Sequence, residues 1–259
     1  MTGFDPDLNA CAALVERGDP MRFRAAMAAP VAARRVLFPV YAFNVEVARA
    51  PWVTQEAMIA EMRLQWWRDV CEEIAQARPV RRHEVATPLS KVITPEDAGL
   101  LDELAAARRW DIYKDAFEDH DHFARYIDQT SGHLTWVAAR RLGPADETAV
   151  RDAAYAVGIA AWLRAIPALE GANRVPLLDG RADAVRDLAQ GAMDRLAAAR
   201  KKRARVSRAA SAALLHVGQA DAVLRAAVAD PAAVAAGRLP DAEQSDRLRL
   251  GLRTLTGRW

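Results

Sequence analysis

An all-α fold is what three features of this sequence predict. Ala, Leu, Arg and Glu fill long stretches, while Val, Ile, Thr and Tyr rarely cluster, a mix that favours helix. Apolar residues recur at three- and four-residue intervals, the period of a helix with one buried face. The 13 Gly and 13 Pro fall mostly between those periodic segments, where they act as stops. With 259 residues, 52% of them hydrophobic, the chain can bury a sizeable core. No internal repeat or low-complexity linker divides it, and one domain over 1–259 is expected.

The elements follow in order. Asp19-Pro20 reads as an N-cap with Pro at the first helical position, opening a short helix to about Ala29. Pro30 opens the next, with Val36, Leu37, Val40, Phe43 and Val47 at helical spacing. Pro39 should bend or break it, and Pro51 should end it. A longer helix starts after Thr54, and its Met58, Met62, Trp66 and Ile74 predict the buried face. Residues 78–94 read as loop with one short helix, Thr87 to Val92. Thr94-Pro95-Glu96-Asp97 opens another helix, with acids in the first turn where they suit its dipole.

Asp111 to Leu142 reads as helix interrupted near His120 and at Ser131-Gly132, and stopped by Gly143-Pro144. Asp146 to about Leu169 follows, broken near Pro167, then a loop from Gly171 to Gly180. Asp183 to Val217 gives the longest uninterrupted helical pattern. Ala220 to Ala229 and Asp241 to Leu255 complete the set, separated by the turn Gly237-Arg238-Leu239-Pro240.

Bulk properties narrow the function. A formal charge of +2 does not call for nucleic-acid binding. Cys11 and Cys71 lack metal-ligand spacing and read as reduced core residues of a cytoplasmic protein. The opening Met1-Thr2-Gly3-Phe4-Asp5-Pro6-Asp7 resembles neither a signal nor a transit peptide. No stretch approaches the ~18 apolar residues of a bilayer span, so any membrane contact is expected to be peripheral, on the inner face.

Three local patterns invite a chemical reading. Asp111, Asp115 and Asp119 would stack on one face of a helix and could hold a metal; the alternative is an acidic helix end that caps its neighbour. That alternative is favoured, and no metal site is assigned. Trp66 and Trp67 are adjacent, so one should enter the core and the other its rim. Arg200, Lys201, Lys202 and Arg203 form the strongest basic cluster, inside the long helix. It reads as a solvated face or as a contact for anionic lipid or an acidic partner, and it lacks the aromatics of a single-strand binder.

Tyr41-Ala42-Phe43, with Arg63-Leu64-Gln65-Trp66-Trp67-Arg68-Asp69, resembles the opening of the squalene/phytoene synthase family. Tyr126 to Gly143 is a second match, and Leu163-Arg164 followed by Arg174-Val175 a third. Together they run from about Arg24 to Leu239. Val45 departs from the family's Arg, Asn173 from its Gly, and Pro176-Leu177-Leu178 from its Tyr-Leu-Pro. The resemblance implies an isoprenoid-synthase-type helical bundle around a central cavity. It also implies two Asp-x-x-x-Asp motifs that hold Mg²⁺ and diphosphate. The matching positions are Ala48 and Trp52, then Ala165 and Leu169, none of which can ligate a metal.

Ala42-Phe43-Asn44-Val45-Glu46 and Leu163-Arg164-Ala165-Ile166-Pro167 are similar to one branch of that family, a mitochondrial assembly factor for respiratory complex I. The resemblance therefore implies no catalytic residues, no cofactor, and complex I subunits or assembly intermediates as partners. Tyr41, Phe43, Glu46, Arg164 and Arg174 are the residues it places near a ligand or the cavity, with Glu46 read first as the ion-pair partner of Arg49, and Arg164 equally readable as part of a helix-surface or interhelical ion pair. An isoprenoid or other lipid is the expected ligand. The alternatives are an Mg²⁺-dependent prenyltransferase using displaced acids, or a protein that binds an isoprenoid without reacting it.

Overall fold

Asp-Pro pairs open the first two helices. In the computed structural model, which describes residues 5–240 together with 251, 256 and 259, Asp5 caps α1 (Pro6–Gly18) and Asp19 caps α2 (Pro20–Ala28). Each aspartate accepts a hydrogen bond from a backbone N–H of the first turn. The second pair is expected from sequence; α1 is not, although Asp5-Pro6 carries the same signal.

α3 (Val31–Arg49) runs unbroken through Pro39, and a 3₁₀ turn, Ala50–Trp52, ends it. α9 (Glu147–Gly171) likewise continues through Pro167. The expected breaks do not occur. Pro39 lies within the buried face of α3, and the packing of that face outweighs one missing N–H, a loss of about 3 kcal/mol in an exposed helix.

α4 (Ala57–Ala75) buries Ala60, Leu64, Trp67, Val70, Cys71 and Ile74. Met58 and Met62 are 76% and 66% exposed, which corrects the expected face. Trp67 enters the core and Trp66 its rim. α5 (Ala86–Ser90) is short. α6 (Pro95–Ala107) starts with a reciprocal capping box between Thr94 and Asp97. Asp97 is fully buried and also holds Arg140 and Arg141 of α8 (His133–Leu142).

The expected helix from Asp111 begins only at α7 (His120–Ile127). Arg174 takes the carbonyl oxygens of Trp110, Asp111 and Tyr113, the acceptors a helix would have used. Asp111, Asp115 and Asp119 consequently do not stack; Asp119 caps α7 through His122 N–H. Between α7 and α8 the chain makes a π-helical turn, Asp128–Gly132.

α10 (Ala182–Lys201) stops well short of Val217. The backbone at Arg205 and Ser207 pairs with Asp146 and Pro144 at the start of α9, and the chain continues as 3₁₀ turns, Arg203–Arg205 and Ala210–Val217. The basic cluster thus sits at a helix end, where cations suit the dipole. α11 (Gly218–Ala229) and α12 (Ala232–Ala235) follow. The expected helix from Asp241 to Leu255 lies outside the described residues apart from Gly251. Among the described residues there is no strand. α9 is central, packing on α8, α10, α11 and the π turn.

Candidate functional site

α3 separates two cavities. At about 100° per residue, Asn44 and Ala48 lie on one side of it and Glu46 on nearly the opposite side, while the 3₁₀ turn that follows carries Trp52 to the first space and Ala50 to the second. Each set lines a different space.

The central cavity measures about 410 Å³. Ala48 and Trp52 reach it from α3 and its 3₁₀ turn, and Ala165, Ala168 and Leu169 from α9. Ala48, Trp52, Ala165 and Leu169, distant in sequence, therefore share one wall system. Trp162 and Tyr126 belong to an aromatic cluster behind the cavity with Trp110 and Phe117, whose rings stack 4.2 Å apart. The π turn brings Thr130 and Ser131 to the lining; their hydroxyls donate to the carbonyls of Tyr126 and Ala154, both at 2.7 Å. Gly158 lets α9 approach: a Cβ there would meet Ile127 at 2.7 Å and Ser131 at 2.9 Å.

Among the described residues one carboxylate lines this cavity, that of Asp111, and it is engaged. The Tyr126 hydroxyl donates to both its oxygens at 2.9 and 3.0 Å, and Arg108 donates to it at 3.2 Å. Burial opposes the Arg108 charge, but Tyr126 and Asp111 outweigh it, so the guanidinium stays above its usual range. Burial pushes the Tyr126 hydroxyl up, against the pull of Arg108. Polar capacity remains: Asn44 Oδ1 and the Nε atoms of Arg22 and Arg108 have no partner among the described residues. The cavity can accept a mostly apolar molecule with a small polar end.

Other expected contacts lie elsewhere. Tyr41 and Phe43 are core residues. The Tyr41 hydroxyl donates to Ala213 O at 3.4 Å, and Phe43 meets Trp67 edge-on at 5.4 Å. Arg174 is buried, spends its guanidinium on three carbonyls and lies 4.8 Å from the Trp52 ring, holding that rim residue in place. Arg164 faces outward beside Leu239 rather than toward the central cavity. Arg200 pairs with Asp221, and Arg200 and Arg203 both donate to Trp259 O, so these two cations bind their own fold. Lys201 is exposed and Lys202 half-buried.

Glu46 belongs to the second cavity, about 380 Å³, with Arg49, Ala50, Val53, Arg63, Trp66, Trp67 and His83. The expected Glu46–Arg49 ion pair does not form among the described residues. Sequence reasoning missed Arg22, Asn44, Arg108, Asp111 and Tyr126 as cavity residues. Asn44 lies inside a motif already singled out, and its i, i+4 relation to Ala48 marks its face; the others come from segments that only the fold brings together.

Comparison with known proteins gives consistent relationships. The squalene/phytoene synthase family matches residues 15–177. A Drosophila melanogaster protein described as the NADH dehydrogenase (ubiquinone) complex I, assembly factor 6 homolog is 29% identical over 177 residues. That match covers 65% of this chain and 53% of that protein. The Homo sapiens assembly factor 6 is 26% identical over 162 residues, covering 61% and 48%. The chain thus spans about half the length of the curated relatives it matches. A dehydrosqualene synthase crystal structure with bound ligand superposes with a TM-score of 0.73 at 13% identity, over 97% of this chain and 94% of that one. Squalene synthase HpnC from Alicyclobacillus acidocaldarius gives 0.70 at 16% identity, over 91% and 96%. Among the described residues no helix is long and apolar enough to cross a membrane.

Proposed function

This chain belongs to the squalene/phytoene synthase family, and from that premise we propose that it is a non-catalytic member that assists assembly of respiratory complex I at the membrane surface. One observation carries the reading. Ala48, Trp52, Ala165 and Leu169, the positions that the resemblance aligns with the family's metal-binding acids, all line one cavity. Ionising an allylic diphosphate needs its charge neutralised, ordinarily by Mg²⁺ held on hard oxygen ligands. Among the described residues the lining offers one carboxylate, that of Asp111, and Arg108 and Tyr126 already occupy it. This donor set does not fit an Mg²⁺ cluster. The names of the relatives supply the assembly role.

The apolar lining favours a second reading compatible with the first. The cavity holds an isoprenoid chain without reacting it, its polar end at Asn44 and Arg108.

The deciding measurement is NADH:quinone activity in membranes from a strain lacking the gene. Selective loss, restored by the gene, is the expected result. Unchanged activity sinks the assembly role, and prenyl product from the purified protein with Mg²⁺ sinks the non-catalytic one. Native mass spectrometry of gently purified protein tests for the bound lipid.

A further inference from the structure

The exposed apolar residues of this protein are not scattered. Of the ten large hydrophobic side chains exposed among the described residues, five fall within residues 52–62: Trp52, Val53, Met58, Ile59 and Met62. Single exposed apolar residues are ordinary, whereas a local concentration marks an interaction surface. Here the 3₁₀ turn that ends α3 packs against α4, which puts the two groups side by side.

The second cavity opens within this surface. Val53 lines it, and Arg63 and Trp66 stand one turn along α4 from Ile59 and Met62. Its charge is unbalanced: Arg49 and Arg63 face one acid, Glu46, and none of the three has an ion pair among the described residues. Trp66 and His83 form a wall, rings 5.0 Å apart. His83 Nδ1 accepts from Val85 N–H at 3.1 Å, which leaves Nε2 as the protonated donor of the neutral ring.

We propose that this second cavity binds the headgroup of an anionic glycerophospholipid, and that the protein docks on a bilayer with the end of α3 and the first turns of α4 against the leaflet. Arg49 and Arg63 take the phosphodiester oxygens, for which guanidinium geometry is suited. Glu46 accepts hydrogen bonds from headgroup hydroxyls. Trp52, Val53, Met58, Ile59 and Met62 enter the headgroup–acyl boundary. Trp52 is also on the rim of the central cavity, so docking places that mouth at the membrane. This inference deepens the membrane-surface part of the proposed function and rests on it. Its test uses purified protein and vesicles alone, so its outcome is separable from any effect on complex I.

The experiment is flotation of the full chain with phosphatidylcholine vesicles and with mixed phosphatidylcholine–phosphatidylglycerol vesicles. Wild type floats with the mixed vesicles. Arg49→Gln/Arg63→Gln weakens binding roughly 10- to 30-fold, as two leaflet-facing cations imply. Lys201→Gln/Lys202→Gln floats like wild type. A second readout leaves charge untouched: brominated lipid quenches wild-type tryptophan fluorescence, and Trp52→Phe loses a measurable share of that quenching. Failure of wild type to float, equal flotation of the arginine variant, loss in the lysine variant instead, or unchanged quenching in Trp52→Phe each overturn the proposal. Inorganic phosphate offers the same chemistry without a bilayer; if it raises the melting temperature while no vesicle binds, the docking surface is refuted.

Discussion

The two sides of α3 serve different ends. On the side of Asn44, Ala48 and Trp52, the acid is paired within a mostly apolar lining: Arg108 and Tyr126 both hold Asp111, while Asn44 Oδ1 and the Nε atoms of Arg22 and Arg108 keep spare capacity among the described residues. On the side of Glu46, Arg49 and Val53, charge is left over and apolar surface stays in water. The difference teaches that one helix can carry a structural wall and a recognition surface at once. It also predicts that mutations on the two sides will act on different observables.

The largest effect on stability belongs to the central wall. Asp111→Ala strands the Arg108 guanidinium among buried rings, and breaking a buried pair from one side costs about 3–5 kcal/mol. The melting temperature should fall by roughly 10 °C, at about 2–4 °C per kcal/mol for a chain of this size. Arg49→Gln/Arg63→Gln should stay within about 0.5 kcal/mol of wild type. A small loss for Asp111→Ala, or a large one for the arginine variant, breaks the contrast.

Acid comes next. His216 is fully buried, meets Tyr41 edge-on at 6.4 Å and has no partner for either ring nitrogen among the described residues. Burial, aided by Arg22, holds its pKa down to about 3, and burial likewise holds His133 near 4. The folded imidazoles resist protonation, whereas the unfolded ones titrate near 6.5. The folded protein keeps this stability above pH 6.5 and loses it as pH falls toward 3 to 4, by a few kcal/mol in order of magnitude. His216→Leu should flatten part of that fall between pH 7 and 5, the remainder belonging to His133. Denaturant titrations at the two pH values measure it, and an unchanged slope would assign the acid sensitivity elsewhere.

Gly158 sharpens the comparison from within the central wall. Gly158→Ala adds helix propensity worth about 1 kcal/mol, but its Cβ would press into Ile127 and Ser131. Overpacking of roughly 1–3 kcal/mol should win, for a net loss near 1 kcal/mol. A stabilised Gly158→Ala protein would show that the π turn yields readily.

How much of this was legible in the sequence depends on how local the signal is. Asp19-Pro20 and Thr94 with Asp97 mark helix starts through contacts within one turn, and both hold in the structure. The resemblance at Leu163-Arg164 and Tyr41-Ala42-Phe43 identified the fold, and Ala48 and Ala165 do meet across one cavity. Where a distant group decides, the pattern failed. Arg174 removes the carbonyls that a helix at Asp111 needed, and the turn before α9 draws Arg205 and Ser207 out of α10. Ser131-Gly132 marks an interruption where the π turn falls, but no residue pattern announces its π form. The second cavity was illegible because it joins the end of α3, the middle of α4 and the loop at His83.

The smallest effect on stability tests the most about function. Met58 and Met62 recur at helical spacing and read as core, yet they point into water while Leu64 and Trp67 fill the interior. Met58→Gln/Met62→Gln should therefore shift stability by no more than about 0.5 kcal/mol, since both side chains are already solvated. If the two methionines insert into a leaflet, the same variant should lose vesicle binding, because each exchange replaces apolar area with an amide that prefers water. A large drop in melting temperature would return both residues to the core of the protein or of an assembly. Unchanged stability with unchanged flotation would leave their exposure without a membrane role.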